Sequence, residues 1–124
     1  MNTWAEGVSP DGKWLLYLPN PNQTIWALPL DGSGEAELLV KADYAFDEPQ
    51  VSPDGRWLAY GAQETGEWEV YVRPFRREGE RVRVSTTGGG QPRWRGDGRE
   101  LFYVTAEERV WRFNVVLNWP ELLE

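Results

Sequence analysis

Three aspartates are the first residues with chemical potential: Asp11, Asp54 and Asp97 recur at a constant spacing of 43 residues. A glycine follows each one, at Gly12, Gly55 and Gly98. Carboxylates on equivalent loops at one end of an array could ligate a hard cation through oxygen. The same residues also have a purely local use. In the Ser-Pro-Asp-Gly segments at 9–12 and 52–55, Pro10 and Pro53 preset φ at the first turn position. The aspartate bonds nearby backbone, and the glycine takes the positive φ that closes a tight hairpin. Turn chemistry accounts for each aspartate completely, so the expectation is a structural turn and no metal. The third copy has Gly96 where the others have proline, which predicts a looser turn.

Other residue groups have types suited to catalysis or binding. Gly88, Gly89 and Gly90 could cradle a phosphate, but the lysine and helix of a P-loop do not follow. Turn chemistry is the simpler account. Glu107 and Glu108 are adjacent, and adjacent strand residues point to opposite faces, so they make a poor acid–base pair. The chain has no histidine and no cysteine. The commonest general base, thiol nucleophiles and thiolate metal sites are therefore missing. No Gly-x-Ser-x-Gly elbow occurs, and a serine triad would lack its histidine. The expectation is a chain with no catalytic activity and no cofactor.

Arginine is the remaining candidate. Arg73, Arg76, Arg77, Arg81, Arg83, Arg93, Arg95 and Arg99 lie close in sequence, with Phe75 and Trp94 among them. Arginine with aromatics can hold phosphates or single-stranded nucleic acid. The net charge of −7 argues against nucleic acid. Alternate arginines on strands more often form a solvated or salt-bridged face. Arg73, Arg76, Arg77, Arg93 and Arg95 are the candidate interaction surface. The charge is uneven: residues 1–70 carry twelve acids and three bases, and residues 71–124 carry eight acids and ten bases. Such halves could attract a second copy head to tail.

The elements that must position these residues show as a repeat. VSPDGKWLLYL begins at Val8, VSPDGRWLAYG at Val51 and WRGDGRELFYV at Trp94, with Tyr17, Tyr60 and Tyr103 in register. Strands are predicted after each turn, at 13–18, 56–61 and 99–105. Their apolar runs are nearly continuous, which predicts sheets covered on both faces. IWALPL, VYVRPF and VWRFNV supply a next strand at 25–30, 70–75 and 110–115. A fourth is predicted at 37–41 and 81–85, and short opening segments at 4–8, 49–51 and 92–94. Four short antiparallel strands per 43 residues is the pattern of a propeller blade. A β-sandwich explains short strands but not the constant period. Eight tryptophans fit aromatic packing between layers. No apolar run reaches the roughly 20 residues of a membrane span, and the first residues carry neither the basic nor the apolar region of a signal peptide. No membrane insertion is expected.

SPDGRWLAY, the following EVYVRPF, and STTGGGQPRWRGDGRELFY resemble TolB-type propeller repeats, which are WD-like repeats with a Pro-Asp turn. They look most like the copies at the C-terminus of bacterial receptor-like serine/threonine kinases. The resemblance implies an all-β propeller, protein–protein contact or ligand sensing, and a bacterial extracytoplasmic setting, with the cytoplasm left open. It covers nearly the whole chain, and the VVLNWPELLE segment is similar to the closing tail of those propellers. The expected architecture is one partial propeller over 1–124, with blades at about 3–43, 46–88 and 90–119. The third blade is expected to be incomplete, because the tail follows its third strand with no turn between. Propellers have about four to eight blades. Three blades with apolar ends predict self-association, as a homodimer of three plus three blades, with 115–119 supplying the missing outer strand. Another protein or peptide partner remains open. So do a piece of the propeller that caps prolyl-oligopeptidase-type hydrolases, and an excised or engineered fragment.

Overall fold

The computed structural model describes residues 3–105 and 107–114, of which 3–6 and 114 are described as backbone. The tail at 115–124, expected to close the third blade, lies outside the described residues. The described chain is all strand and turn, with no helix.

The first sheet holds β1 (Thr3–Val8), β2 (Trp14–Pro19), β3 (Thr24–Pro29) and β4 (Glu37–Lys41), in that order. The second holds β5 (Phe46–Val51), β6 (Trp57–Ala62), β7 (Glu69–Pro74) and β8 (Val82–Arg83). The third holds β9 (Gly89–Trp94), β10 (Glu100–Thr105) and β11 (Val110–Asn114). All pairings are antiparallel and run between consecutive strands. Each sheet is a meander, and the three stack as blades.

The middle blade is the core. Successive strand residues point to opposite faces, so β6 serves both neighbours. Leu58, Tyr60 and Ala62 join Leu16, Leu18, Ile25 and Ala27 of the first blade. Trp57 and Ala59 join Leu101 and Tyr103 of the third. Phe46, Tyr60 and Tyr71 form an aromatic ladder, with ring centroids 5.6 and 5.9 Å apart. Aromatic pairs of this kind contribute about 0.5–1.5 kcal/mol beyond their buried area.

Two expectations change here. Only β6 is buried at every position; β2 and β10 alternate. Among the described residues the first and last blades have one neighbouring blade each, so one of their faces stays open. The opening strands are also longer than predicted. β5 and β9 run on past Pro49 and Pro92 because a bulge precedes each proline. Glu48 and Gln91 take positive φ there, 47° and 54°. A bulge spares the proline a ladder hydrogen bond that it cannot donate.

Candidate interaction surfaces

The repeated turns are closed units. In the first, the Asp11 carboxylate accepts from the Ser9 hydroxyl (2.6 Å) and from the Lys13 amide (2.9 Å). The Ser9 hydroxyl in turn accepts from the Trp14 amide at 3.1 Å. The second turn repeats this through Ser52, Asp54, Arg56 and Trp57. The Ser9 hydroxyl, followed by the Lys13 amide, holds the Asp11 carboxyl below its usual range, because both bond the charged form. In the third turn, Asp97 accepts from the Arg99 amide at 3.0 Å. Arg95 occupies the serine position and reaches Asp97 at 3.3 Å and Glu100 at 2.6 Å.

Gly12, Gly55 and Gly98 have φ of 76°, 75° and 73°. The third turn therefore keeps the backbone geometry of the other two, although Gly96 stands in place of the proline. The glycine amide bonds back to the residue three earlier at 2.8–2.9 Å in all three turns. That bond closes all three turns, with or without the proline. Among the described residues, no group of three carboxylates converges in a way that could hold a metal ion.

The candidate arginines are largely engaged at blade junctions. Arg76 leaves the second blade, pairs with Glu37 of the first at 2.7 Å, and lies 4.0 Å over the Trp14 ring. Arg93 leaves the third blade and pairs with Glu48 of the second at 2.9 Å. Arg77 lies over the Trp57 ring and donates to the Arg56 carbonyl at 3.1 Å. Arg73 is half-buried beside a recess of about 230 Å³ that Leu38, Leu39, Arg76 and Glu78 help to line. Arg81 pairs with Glu64, donates to the Tyr44 hydroxyl at 3.1 Å, and lies over Tyr71. Arg81, followed by the Tyr71 hydroxyl, holds the Glu64 carboxyl below its ordinary range, while burial and Glu64 push Tyr71 up to about 12.

The glycine run spans the end of the connection between the second and third blades, at Gly88, and the start of β9, at Gly89 and Gly90. Its surroundings include a buried carboxylate, which sequence reasoning did not single out. Glu69 is 3% exposed. Its oxygens accept from the Gly88 amide at 3.1 Å and from the Ser85 hydroxyl. Ser85 also accepts from the Val70 amide at 2.8 Å. The Gly88 amide is thus used internally and is not free for a phosphate. The adjoining groove, about 590 Å³, is walled by Asp47, Glu48, Glu67 and Trp68. Its acidic wall would repel an anion.

The open faces of the outer blades are largely apolar. On the first blade, Tyr17 stacks on Trp26 with rings 6.5 Å apart and 16° from parallel. Val8, Leu28 and Leu38 beside them are 54%, 37% and 45% exposed. On the third blade, Val110 is 71% exposed, and Phe102 and Val104 lie half-buried on the same face. Trp14 and Phe113 pack inward against the middle blade.

No family model matches the chain, and no curated protein matches it by sequence. Solved structures do match. TolB from Acinetobacter baumannii superposes with a TM-score of 0.73 at 20% identity, over 90% of this chain and 29% of TolB. The three sheets share the β-propeller blade fold of TolB. The propeller of a tricorn protease matches too, with a TM-score of 0.68 at 19% identity, over 84% of this chain and 11% of that one. The chain therefore spans less than a third of either protein, and at these identities the likeness speaks for the fold.

Proposed function

We propose that this partial propeller is a non-catalytic protein-interaction module whose binding surfaces are the open faces of its first and third blades. The observation that carries the reading is the pair of uncovered apolar sheet faces on a TolB-like fold. A blade buries both faces in a closed propeller, and soluble proteins seldom leave contiguous apolar patches beyond a few hundred Å² uncovered. The lack of histidine and cysteine supports the non-catalytic part. So does the engagement of Asp11, Asp54 and Asp97 within their own turns. A role beside a bacterial receptor-like kinase, which the repeats resemble, calls for a module of this kind.

The test is a peptide library selected on the pure protein. Binders should lose affinity when Leu38 or Val110 is replaced by a charged residue, with no peptide, ester or phosphate turnover. Binders indifferent to both changes would refute the surface assignment. Turnover abolished by one point substitution would refute the non-catalytic reading. A second reading, a propeller portion of a larger hydrolase, draws on the likeness to the tricorn protease. A Gly-x-Ser-x-Gly domain encoded next to this segment in its gene would favour it.

A further inference from the structure

We propose that the occupant of both open faces is a second copy of this chain, the third blade of each copy seating on the first blade of the other to close a six-blade ring. This rests on reading those faces as interaction surfaces, and it names their partner.

Three observations carry it. The first is charge. Residues 3–41 of the first blade hold five acids and two bases, whereas residues 89–114 of the third hold four acids and five bases. The first blade is net negative and the third net positive, so unlike ends attract and like ends repel.

The second is side-chain chemistry. Strand register lines up Tyr17, Trp26 and Leu38 in a row across the open face of the first blade. It lines up Arg93, Phe102 and Arg112 across that of the third, where Arg93 also pairs with Glu48 and Arg112 lies 3.6 Å from Glu100. An aromatic row against a row of guanidiniums around a phenyl ring suits cation–π and apolar contact together. The chain already uses this pairing internally, where Arg76 lies 4.0 Å over Trp14 between its first two blades.

The third is area. The third blade presents three strands, spaced about 4.8 Å apart and about 18 Å long, so the contact face covers roughly 260 Å². One junction then buries about 520 Å² from both partners, less than a stable interface needs. Two junctions bury about 1,040 Å², just past the roughly 1,000 Å² that a specific interface must clear. Only the twofold arrangement, in which both junctions form at once, reaches that size.

Sedimentation of the 124-residue chain at micromolar concentration tests the proposal, using Leu38→Glu and Val110→Lys. Both side chains are exposed, so both variants should keep native circular dichroism. The native chain should run at twice its mass of 14.3 kDa. Each variant alone should weaken the dimer at least tenfold. An equimolar mixture of the two should associate more strongly than either variant alone, because one of its two junctions carries no substitution. A folded native monomer would overturn the proposal. So would a dimer broken by Leu38→Glu but indifferent to Val110→Lys, which would mean that first blades pair with each other. Growth into open polymers would overturn the ring. A folded monomer that still bound selected peptides through these faces would remove the second copy and leave the interaction module standing.

Discussion

Gly88, Gly89 and Gly90 are three identical residues in a row, and the structure gives the first two different reasons for being glycine and the third none. A methyl group at Gly89 would lie 2.9 Å from both the Cβ and the hydroxyl of Ser85, and 3.1 Å from the Tyr103 ring. Overpacking of this kind costs about 1–3 kcal/mol. Relief would have to move Ser85, which bonds the Val70 amide and the buried Glu69 carboxylate. Losing one buried hydrogen bond there adds about 1–3 kcal/mol. Gly89→Ala should therefore destabilise by about 2–6 kcal/mol, a large part of a typical domain's stability. Gly88 has φ of +90°, and an alanine there should cost about 1–2 kcal/mol through backbone strain alone. At Gly90 nothing lies within 4 Å of the added methyl, so Gly90→Ala should stay within about 0.5 kcal/mol of native. Urea unfolding followed by tryptophan fluorescence reads all three, at one protein concentration because association would shift the midpoint. Equal losses at Gly89 and Gly90 would refute the packing argument, as would a neutral Gly89→Ala.

Three further outcomes are expected. Gly55→Val should destabilise more than Gly98→Val, although both sites need positive φ (75° and 73°). Pro53 and the Ser52 hydroxyl hold the second turn rigid, so it cannot relax around the strain, which is worth about 1–2 kcal/mol; equal losses in denaturant would count against this. Arg76→Ala should cost about 0.5–1.5 kcal/mol by removing the Glu37 pair and the stacking on Trp14, and Arg76→Lys should recover only part of it; full recovery by lysine would leave no role for the planar stack. Glu64 is held below its ordinary value of 4.5, first by Arg81 and then by Tyr71. Its contribution is therefore present above that value and lost as pH falls through the lower folded value. Glu64 is largely exposed, so the contribution is small, about 0.5 kcal/mol. Glu64→Gln should be less stable than native at pH 7 and match it near pH 3; a difference independent of pH would refute the ion-pair account.

The repeat was legible because its causes are local. Each turn is closed by bonds within five residues, such as the Trp14 amide to Ser9 and the Trp57 amide to Ser52. A spacing of 43 residues then announces equivalent blades before any contact is known. The opening strands were read too short because proline stops a regular ladder, and only the bulges at Glu48 and Gln91 show how the pairing resumes. The buried Glu69–Ser85 pair left no signal in the sequence. Its partners stand 16 residues apart, and the matching position in the first blade is Thr24, with no carboxylate.

The arginines mark the boundary most clearly. Their types and number could be read as a surface for some partner. The structure ties Arg76 to Glu37 across 39 residues and Arg93 to Glu48 across 45. Local hydrogen bonds and side-chain periodicity had determined strands, turns and blade number from the sequence alone. Which face of a strand is covered, and which charge meets which, depends on how blades stack. Only the tertiary structure decided that Trp14 and Phe113 turn inward, while Tyr17, Trp26, Phe102 and Val110 stay on faces that no blade of this chain covers.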